Sequence, residues 1–291
     1  MNELSRKGIS IIIVNYNSGE LLSKSLESIF NSGYDSDIEV IVVDNNSSDN
    51  SAGKARVIFP QVAFIQNDRN LGFAKANNLG IKKSKGRSVL LLNPDTVIMQ
   101  DALQKMVEFM NSSPDIGIIG AKLLNPNGSI QLSCRSFPSW INAIHNRYSP
   151  VTRLFPKNKY AARYLHTDWT HDEPRQVDWL SGACLMIKRE VLEQIGLFDE
   201  DFFMYCEDID ICYRSKQAGW KNFYYPHAKV IHYIGRGKKK VSIKSIIFHH
   251  ISMYKFFRKH YCKNRIVFNI LTFYGIMISF ILTLIYKRRI K

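Results

Sequence analysis

Short runs of apolar residues alternate with segments of helical periodicity along the first 124 residues. The apolar runs cover residues 9–14, 40–43, 62–65, 89–92 and 116–119. Unbroken runs of this length are typical of strands buried on both faces of a sheet. Helices are predicted between them, with a stripe at Leu22, Leu26, Ile29 and Phe30 and further helices over 73–83 and 100–110. This alternation predicts an α/β fold in which a mostly parallel central sheet carries helices on both faces.

The pattern changes after residue 124. Residues 125–177 contain five prolines and no sustained periodicity, which predicts a loop-rich insertion. Insertions of this length in a compact domain are usually functional or mobile. Regular structure is predicted again in a strand over 177–187, helices over 189–195 and 207–218, and a strand over 228–231.

The formal net charge of +15 is concentrated at the carboxyl-terminal end of the chain. Residues 236–291 carry 14 basic side chains and no acidic one, whereas the preceding residues are almost neutral. This distribution indicates anionic lipid or a lipid-linked phosphate as the partner and argues against nucleic acid. The five cysteines form no CxxC pair, and the amino terminus lacks the apolar core of a secretory signal. Reduced thiols in the cytoplasm are therefore expected.

Two apolar segments lie within this basic tail. In residues 242–265, isoleucine and aromatic side chains recur with helical spacing among lysines and arginines, as in helices on a membrane surface. Residues 266–286 are 21 positions without a charge, which is long enough to span a membrane. Four positive charges follow this segment. If the preceding domain is cytosolic, a spanning helix would carry these charges across the membrane, against the positive-inside tendency. A spanning helix, an interfacial helix and a homodimer-forming helix all stay open.

Polar residues that follow the buried strands are candidates for a ligand site. The strand over 89–92 stops at Asn93, because Pro94 lacks a backbone donor and disfavours helix before it, and Asp95 then lies on a tight turn. Ligands of open α/β sheets bind at this edge, where a carboxylate suits a divalent cation that holds a diphosphate. No G-x-G-x-x-G or P-loop pattern is present, so a nucleotide would be held by Asp, Asn and a metal.

A second group of acidic residues opens the helix predicted over 207–218. Glu207, Asp208 and Asp210 lie in its first turn, where the helix dipole favours carboxylates. Asp210 and Arg214 have the i, i+4 spacing of a surface ion pair, and that pair is the expectation for both.

Together, these segments resemble family 2 glycosyltransferases of the GT-A fold, most closely the bacterial rhamnosyltransferase type. The resemblance covers residues 8–236 and rests on the ordered segments VNYN, VVDNNSSD, NDRNLGFAKANN, NPD, VDWLSGACLMIKREVLEQIGLFDEDFFMYCEDIDICYR and PHAKVIH. It implies an inverting enzyme that uses a nucleoside-diphosphate sugar and Mg²⁺ or Mn²⁺. It divides the chain into a GT-A domain, 1–236, with a nucleotide-binding half (1–124) and an acceptor and catalytic half (125–236), and a membrane segment, 237–291.

The resemblance also assigns site residues. Asp208 corresponds to the catalytic base, with Glu207 as the neighbouring alternative, and Asp95 and His232 correspond to the metal ligands. The donor nucleotide would be bound by Val14, Asn15, Asn17, Asp44, Asn46, Asn70, Gly72, Phe73, Asn77 and Asn93, with Asp44 accepting from the pyrimidine N–H. Acceptor binding is expected at Trp179, Gly182 and Ala183, with the loop-rich insertion as a flap on that side.

The residue types agree with this chemistry. Departure of a nucleoside diphosphate requires positive charge on the leaving group, and inversion requires one carboxylate to take a proton from the acceptor hydroxyl. The expected function is transfer of a sugar, best rhamnose from dTDP-rhamnose or another dTDP- or UDP-sugar, to a lipid-linked saccharide. This reaction would serve cell-surface polysaccharide synthesis at the cytoplasmic face of the inner membrane.

Other interpretations stay open on the residues alone. One is a catalytically silent scaffold subunit that binds a nucleotide sugar in a membrane complex, and intact Asp44, Asp95, Asp208 and His232 argue against it. Another is double displacement, with a second carboxylate as nucleophile. A nucleotidyltransferase would need the Gly-rich, Arg-Lys start that this sequence lacks.

Overall fold

The computed structural model describes residues 8–34, 36–140, 159–233 and 242–289. The strands are β1 (Ile9–Asn15), β2 (Ile38–Asp44), β3 (Ala63–Gln66), β4 (Ser88–Leu92), β5 (Thr96–Ile98), β6 (Ile116–Leu124), β7 (Ile130–Gln131), β8 (Cys134–Arg135), β9 (Arg175–Gln176), β10 (Trp179–Leu180), β11 (Cys184–Lys188) and β12 (Lys221–His232). The helices are α1 (Leu21–Phe30), α2 (Ser51–Ile58), α3 (Phe73–Lys83), α4 (Ala102–Asn111), α5 (Lys159–Leu165), α6 (Arg189–Ile195), α7 (Glu207–Gln217), α8 (Ile243–His260) and α9 (Ile266–Arg289).

A mixed sheet forms the centre of the described part of the chain. Its main path runs β3-β2-β1-β4-β11-β6-β12-β5, with β7 beside β6 and β9 beside β12. Strands β3, β2, β1 and β4 are parallel, whereas β11 is antiparallel to both β4 and β6. The carboxyl ends of β1, β2, β4 and β12 therefore share one edge with the amino end of β11. The predicted ligand-binding edge is thus assembled from distant parts of the sequence.

The sheet is covered on both faces, as its apolar strands predict. All seven residues of β1 are buried. Ile11 and Ile13 point into a core formed with α1, α2 and α4, and Ile12 points into the opposite core formed with α3, α6 and α7. Because side chains alternate between the faces of a strand, only a continuous apolar run can supply both cores. The predicted α/β fold with a mostly parallel sheet is confirmed.

The single strand predicted over 177–187 is wrong. Two strands occupy this stretch: β10 pairs with β8 in a separate two-stranded sheet, and β11 joins the central sheet. Residues 181–183 form the turn between them, with Gly182 buried at the sheet edge. An apolar run reports that residues are buried, but it does not report which neighbouring strand each half pairs with.

The ion pair expected for Asp210 and Arg214 is formed, but the expectation that it lies on the surface is wrong, because α8 covers it. Asp210 is fully buried and accepts from Arg214 Nε at 2.8 Å and from His260 Nε2 at 2.7 Å, with Lys259 Nζ at 2.8 Å. Burial raises the pKa of Asp210, but the hydrogen bond from His260 and the nearby cations outweigh this effect and lower it to about 2. Asp210 therefore ties α8 to α7.

The two terminal helices differ in how much they contact the rest of the chain. Phe256 and Phe257 of α8 are buried in a cluster with Phe202 and Ile209. Within the described residues, Ile266–Ile285 of α9 is the stretch long and apolar enough to cross a membrane, with a mean hydropathy of 2.1 and 6% of that window buried. The predicted boundary between residues 236 and 237 lies outside the described residues.

Candidate active site

A hydrogen-bonded carboxylate stands at the carboxyl end of β2. Asp44 is buried; its Oδ1 accepts from Asn15 Nδ2 at 2.6 Å and from the Ser47 hydroxyl at 2.6 Å. Its Oδ2 accepts from the Ser47 backbone N–H at 2.9 Å and from Gln66 Nε2 at 2.7 Å. Burial raises the pKa of Asp44, but these hydrogen bonds outweigh it and lower the pKa overall. The predicted nucleotide-binding carboxylate is therefore ionised and held in place before any ligand arrives.

The loops beside Asp44 hold two more of the predicted donor-binding residues. Asn17 and Asn46 have φ angles of 53° and 62°, in the left-handed region that asparagine tolerates better than most residues. Asn17 Oδ1 accepts from the Ser48 backbone N–H at 2.7 Å, which joins the two loops. Val14 is 8% exposed just below them. Asn17 and Asn46 are exposed on the rim, so their side chains are accessible to a ligand.

The start of α3 connects this donor side to the second half of the chain. Asn70 Oδ1 accepts from the Gly72 N–H at 2.9 Å, and Asn77 Nδ2 donates to the Phe73 carbonyl at 3.0 Å. The Phe73 N–H donates to the Phe203 carbonyl at 2.8 Å. Gly72 has a φ of 84°, and a Cβ there would collide with the Phe203 carbonyl oxygen, so glycine is required for this close approach.

Gly182 lies between the donor segment and the predicted base. A Cβ at this position would meet the Phe73 ring at 3.4 Å and Asp208 Cβ at 3.6 Å. The Gly182 N–H donates to Asp208 Oδ2 at 3.1 Å, and the Asn93 N–H donates to the Ala183 carbonyl at 2.9 Å. The turn after β10 therefore places the predicted donor, acceptor and catalytic residues next to one another.

The two predicted metal ligands lie side by side although they are far apart in sequence. Asp95 Oδ1 is 3.3 Å from His232 Nε2, and Asn93 Nδ2 is 3.5 Å from the same nitrogen. The Tyr233 N–H donates to the Asp95 carbonyl at 2.8 Å, which fixes the two backbones together. Within the described residues, no cluster of three or more His, Cys, Asp or Glu side chains could hold a metal. A cation here would take two protein ligands and further oxygens from its substrate.

Gln131 orients His232, and the sequence had not indicated it. His232 Nδ1 lies 3.0 Å from Gln131 Oε1, while Gln131 Nε2 donates to the His232 carbonyl at 2.7 Å and to Asn125 Oδ1 at 2.9 Å. Because the amide nitrogen is occupied by acceptors, its oxygen faces Nδ1 and receives that proton. Nε2 is thereby directed at Asp95, the arrangement that metal-binding histidines show.

The two acidic residues at the start of α7 differ in exposure. Asp208 is half-buried, with its Oδ1 also accepting from the Ile209 N–H at 2.9 Å. Glu207 is 6% exposed, and its Oε2 has no hydrogen-bond partner in the described part of the chain. Burial raises the pKa of both groups; the charge of Asp208 adds to the effect on Glu207, and the two N–H donors oppose it at Asp208. Glu207 is the more strongly affected, and Asp208 is the acid positioned at the turn.

The two residues immediately before α7 have strained backbone conformations. Tyr205 and Cys206 have φ angles of 69° and 66°, which are uncommon for residues with side chains of this size. Strained backbone of this kind occurs often where side chains are held for function. Beside Asp208, Trp179 Nε1 donates to the Ser136 carbonyl at 2.9 Å, and the Arg135 guanidinium lies 5.6 Å from its ring centroid. Arg135 is a second residue that no sequence motif had indicated.

This sheet, with its site at the carboxyl ends of the strands, is the GT-A glycosyltransferase fold. The model of the family described as "Glycosyltransferase like family 2" matches residues 6–246, and the chain belongs to that family. N-acetylglucosaminyl-diphospho-decaprenol L-rhamnosyltransferase of Mycobacterium tuberculosis is 29% identical, over 85% of this chain and 83% of that protein. Rhamnosyltransferase WbbL of Escherichia coli K12 is 26% identical, over 88% of this chain and 96% of WbbL.

A solved structure supports the same fold. The mannosyltransferase PcManGT from Pyrobaculum calidifontis, in complex with GDP-Man and Mn²⁺, superposes with a TM-score of 0.58 at 19% identity. The match covers 87% of this chain and 64% of the mannosyltransferase. The resemblance to family 2 glycosyltransferases and the GT-A fold are thus confirmed, whereas the roles of individual site residues stay predictions.

Proposed function

We propose that this chain is an inverting, metal-dependent glycosyltransferase that moves rhamnose from dTDP-rhamnose to a lipid-linked saccharide in cell-surface polysaccharide synthesis. One observation carries the proposal: the Gly182 N–H donates to Asp208, and a Cβ at Gly182 would lie only 3.4 Å from the ring of Phe73, a predicted donor-binding residue. A proton acceptor beside the sugar donor is the geometry that in-line displacement requires. The names of the two rhamnosyltransferases support rhamnose as the transferred sugar, and dTDP as its carrier is part of the proposal.

Asp208 would take the proton of the acceptor hydroxyl as its oxygen attacks the anomeric carbon. A bond then forms between that oxygen and the anomeric carbon, while the bond from this carbon to the nucleoside diphosphate breaks on the opposite side. The raised pKa of Asp208 makes it a stronger base than an exposed aspartate. Glu207 is not in a position to replace it, since Glu207 is buried whereas Asp208 is half exposed and accepts from the Gly182 N–H. A single ionised carboxylate accounts for inversion.

A divalent cation, Mg²⁺ or Mn²⁺, fits between Asp95 and His232. A carboxylate suits Mg²⁺ and Mn²⁺, and two lone-pair donors 3.3 Å apart gain from a shared cation. When bound, the cation would supply positive charge to the leaving diphosphate. Gln131 would keep His232 Nε2 directed at it. The Mn²⁺ and GDP-Man in the mannosyltransferase complex support a metal-bound nucleotide sugar at this edge of the fold.

The acceptor and the membrane are linked in this proposal. The Mycobacterium tuberculosis relative is named for an N-acetylglucosaminyl-diphospho-decaprenol acceptor, a lipid-linked sugar. In this chain, the apolar stretch Ile266–Ile285 and the basic residues of α8 provide apolar surface and positive charge for a bilayer. We place the enzyme at the cytoplasmic face of the cell membrane, where nucleotide sugars are made. A homodimer through α9 is the alternative use of this helix.

A donor screen tests the proposal. Purified full-length protein in detergent is incubated with Mn²⁺, farnesyl-diphospho-N-acetylglucosamine and either dTDP-rhamnose or a UDP-sugar, and the products are analysed by mass spectrometry. We expect one rhamnose added per acceptor, with release of dTDP and inverted anomeric configuration by NMR. Release of pyrophosphate, retained configuration, or turnover only with a UDP-sugar would each contradict part of the proposal. A protein that binds donor without turnover would instead be the silent scaffold.

A further inference from the structure

We infer that Arg135 binds the diphosphate of the lipid-linked acceptor, an inference that rests on the proposed function. Arg135 belongs to β8, and it pairs in register with Trp179 of β10, three residues before Gly182. Its guanidinium lies 5.6 Å from the centroid of the Trp179 ring. The same ring is fixed by its hydrogen bond to the Ser136 carbonyl. The guanidinium therefore lies near a fixed aromatic ring, next to the turn that contacts the predicted base.

Arg135 has donor capacity that the described residues leave unused. Its Nε is buried and has no hydrogen-bond partner there. No carboxylate in the described segments forms an ion pair with it. The Tyr164 hydroxyl accepts one hydrogen bond from the guanidinium, which partly opposes the rise that burial causes in the pKa of Tyr164. The buried Nε without an acceptor is unfavourable, and the guanidinium that carries it is half-buried, so an anionic ligand would complete the site.

The position of Arg135 relative to Asp208 indicates which anion it binds. Arg135 pairs with Trp179 of β10, and β10 packs against α7, which carries Asp208 in its first turn. The charge of Arg135 also opposes the rise in the pKa of Asp208. Asp208 is not the missing partner, since its oxygens accept from Gly182 and Ile209. An acceptor sugar with its hydroxyl at Asp208 carries its diphosphate one ring away. A planar guanidinium suits two phosphate oxygens at once.

The donor diphosphate is expected elsewhere on the same edge. Gln131, four residues before Arg135, contacts His232 in the predicted metal site. Four residues of extended chain span at most about 14 Å. The segment from Gln131 to Arg135 therefore runs from the predicted leaving-group site to the predicted base. It would hold one diphosphate at each end, with the reacting sugars between them.

The test compares two acceptors that differ only in the diphosphate. Farnesyl-diphospho-N-acetylglucosamine and farnesyl β-N-acetylglucosaminide are offered to wild type, Arg135→Gln, Arg135→Lys and the control Arg175→Gln. Arg175 stacks on Trp169 at 5.1 Å and is exposed, so its variant removes the same charge from another aromatic face. We expect Arg135→Gln to raise the KM for the diphosphate acceptor about 10- to 100-fold, the range for a lost charge-assisted hydrogen bond. The KM of Arg135→Gln for the neutral acceptor should be unchanged, Arg175→Gln should change neither KM, and Arg135→Lys should be intermediate.

Other readouts separate this inference from its alternatives. Equal losses with both acceptors, or a matching loss of affinity for dTDP-rhamnose, would overturn it. Binding of farnesyl diphosphate to wild type and Arg135→Gln is also measured by calorimetry without donor. If the wild type transfers to neither acceptor, the proposed function is refuted. The calorimetry still decides whether Arg135 binds the diphosphate. If circular dichroism shows that Arg135→Gln is unfolded, the kinetics of Arg135→Lys and its calorimetry with farnesyl diphosphate test the inference instead. With the neutral acceptor, loss of the charge should move the acid limb of the pH–rate profile of Arg135→Gln to higher pH.

Discussion

Asp44 and Asp208 stand near one edge of the same sheet and are held in opposite ways. Asp44 is buried, but three side chains and one backbone N–H donate to it, and its pKa is lowered. Asp208 receives two backbone N–H groups, lies beside the buried Glu207, and has a raised pKa. The first carboxylate is held in its ionised form, and the second is desolvated, as the predicted base requires.

The predicted donor site and the predicted catalytic site of this fold therefore differ in how they are built. The donor side comes from successive strand ends of a parallel sheet, where short polar loops can satisfy a carboxylate completely. The catalytic side comes from a strained turn before α7, where an acid can be desolvated next to another acid. A satisfied site needs little reorganisation when ligand binds, whereas a desolvated base gains reactivity.

The largest expected effect is at the catalytic side. Asp208→Asn should lower kcat about 1,000-fold and leave the donor dissociation constant unchanged, since it removes the proton acceptor alone. Glu207→Gln should retain activity within about tenfold, because the amide resembles the neutral acid that burial already favours. Initial rates and donor titrations of both variants check this. The opposite ranking would make Glu207 the base.

The next effect concerns the pair Asp95 and His232. Asp95→Asn should lower kcat/KM about 100-fold and weaken nucleotide binding in Mn²⁺, because a cation would lose its carboxylate ligand. Asp101→Asn is the matched control: Asp101 is exposed with a φ of 61°, a conformation that asparagine tolerates well. Nucleotide binding is measured with and without EDTA. A near wild-type rate for Asp95→Asn would show that Asp95 is not a ligand.

A third prediction concerns stability at Asp210. Asp210→Asn should lower the free energy of unfolding by about 2 kcal/mol at pH 7, less than for a fully buried pair because Lys259 is partly exposed. The folded pKa is about 2, below the unfolded value near 3.9, so this stabilisation is present above about pH 4 and is lost as pH falls toward 2. Urea unfolding at pH 7 and pH 3 measures it. A difference between variant and wild type that is as large at pH 3 as at pH 7 would contradict an ionic origin.

The smallest effect is on donor binding. Asp44→Asn should weaken affinity for the sugar donor about tenfold. The amide NH₂ would face the N–H groups of Asn15 or Gln66, from which the carboxylate now accepts hydrogen bonds. Asp68→Asn, at an exposed loop position, serves as the control. In the wild type, donor affinity should stay constant as pH falls from 7 to 5, because the pKa of Asp44 is lowered. Turnover should fall as the pH is lowered over the same range, because Asp208, with its raised pKa, is protonated before Asp44. Parallel pH profiles would remove the contrast between the two sites.

Local patterns in the sequence predicted much of the fold. The helices over 73–83 and 189–195 have the predicted bounds, and the strand before Asn93 stops where Pro94 requires it. These features depend on side-chain periodicity and turn chemistry within a few residues, which a sequence displays directly. The motifs also indicated which residues to inspect at the sheet edge, and the structure brings Asp95 next to His232 and Asp208 next to Gly182.

Contacts between distant segments were decided by the tertiary structure. Gln131 and His232 are separated by 101 positions, and Asp210 and His260 by 50, so no local pattern relates them. The apolar run over 177–187 reported burial correctly, but its two halves pair with different strands. Arg135 lies beside Trp179, which is far from it in the sequence. Periodicity indicates which face of a helix or strand each residue occupies. A site depends on which helices and strands pack together, and the packing of the whole chain determines that.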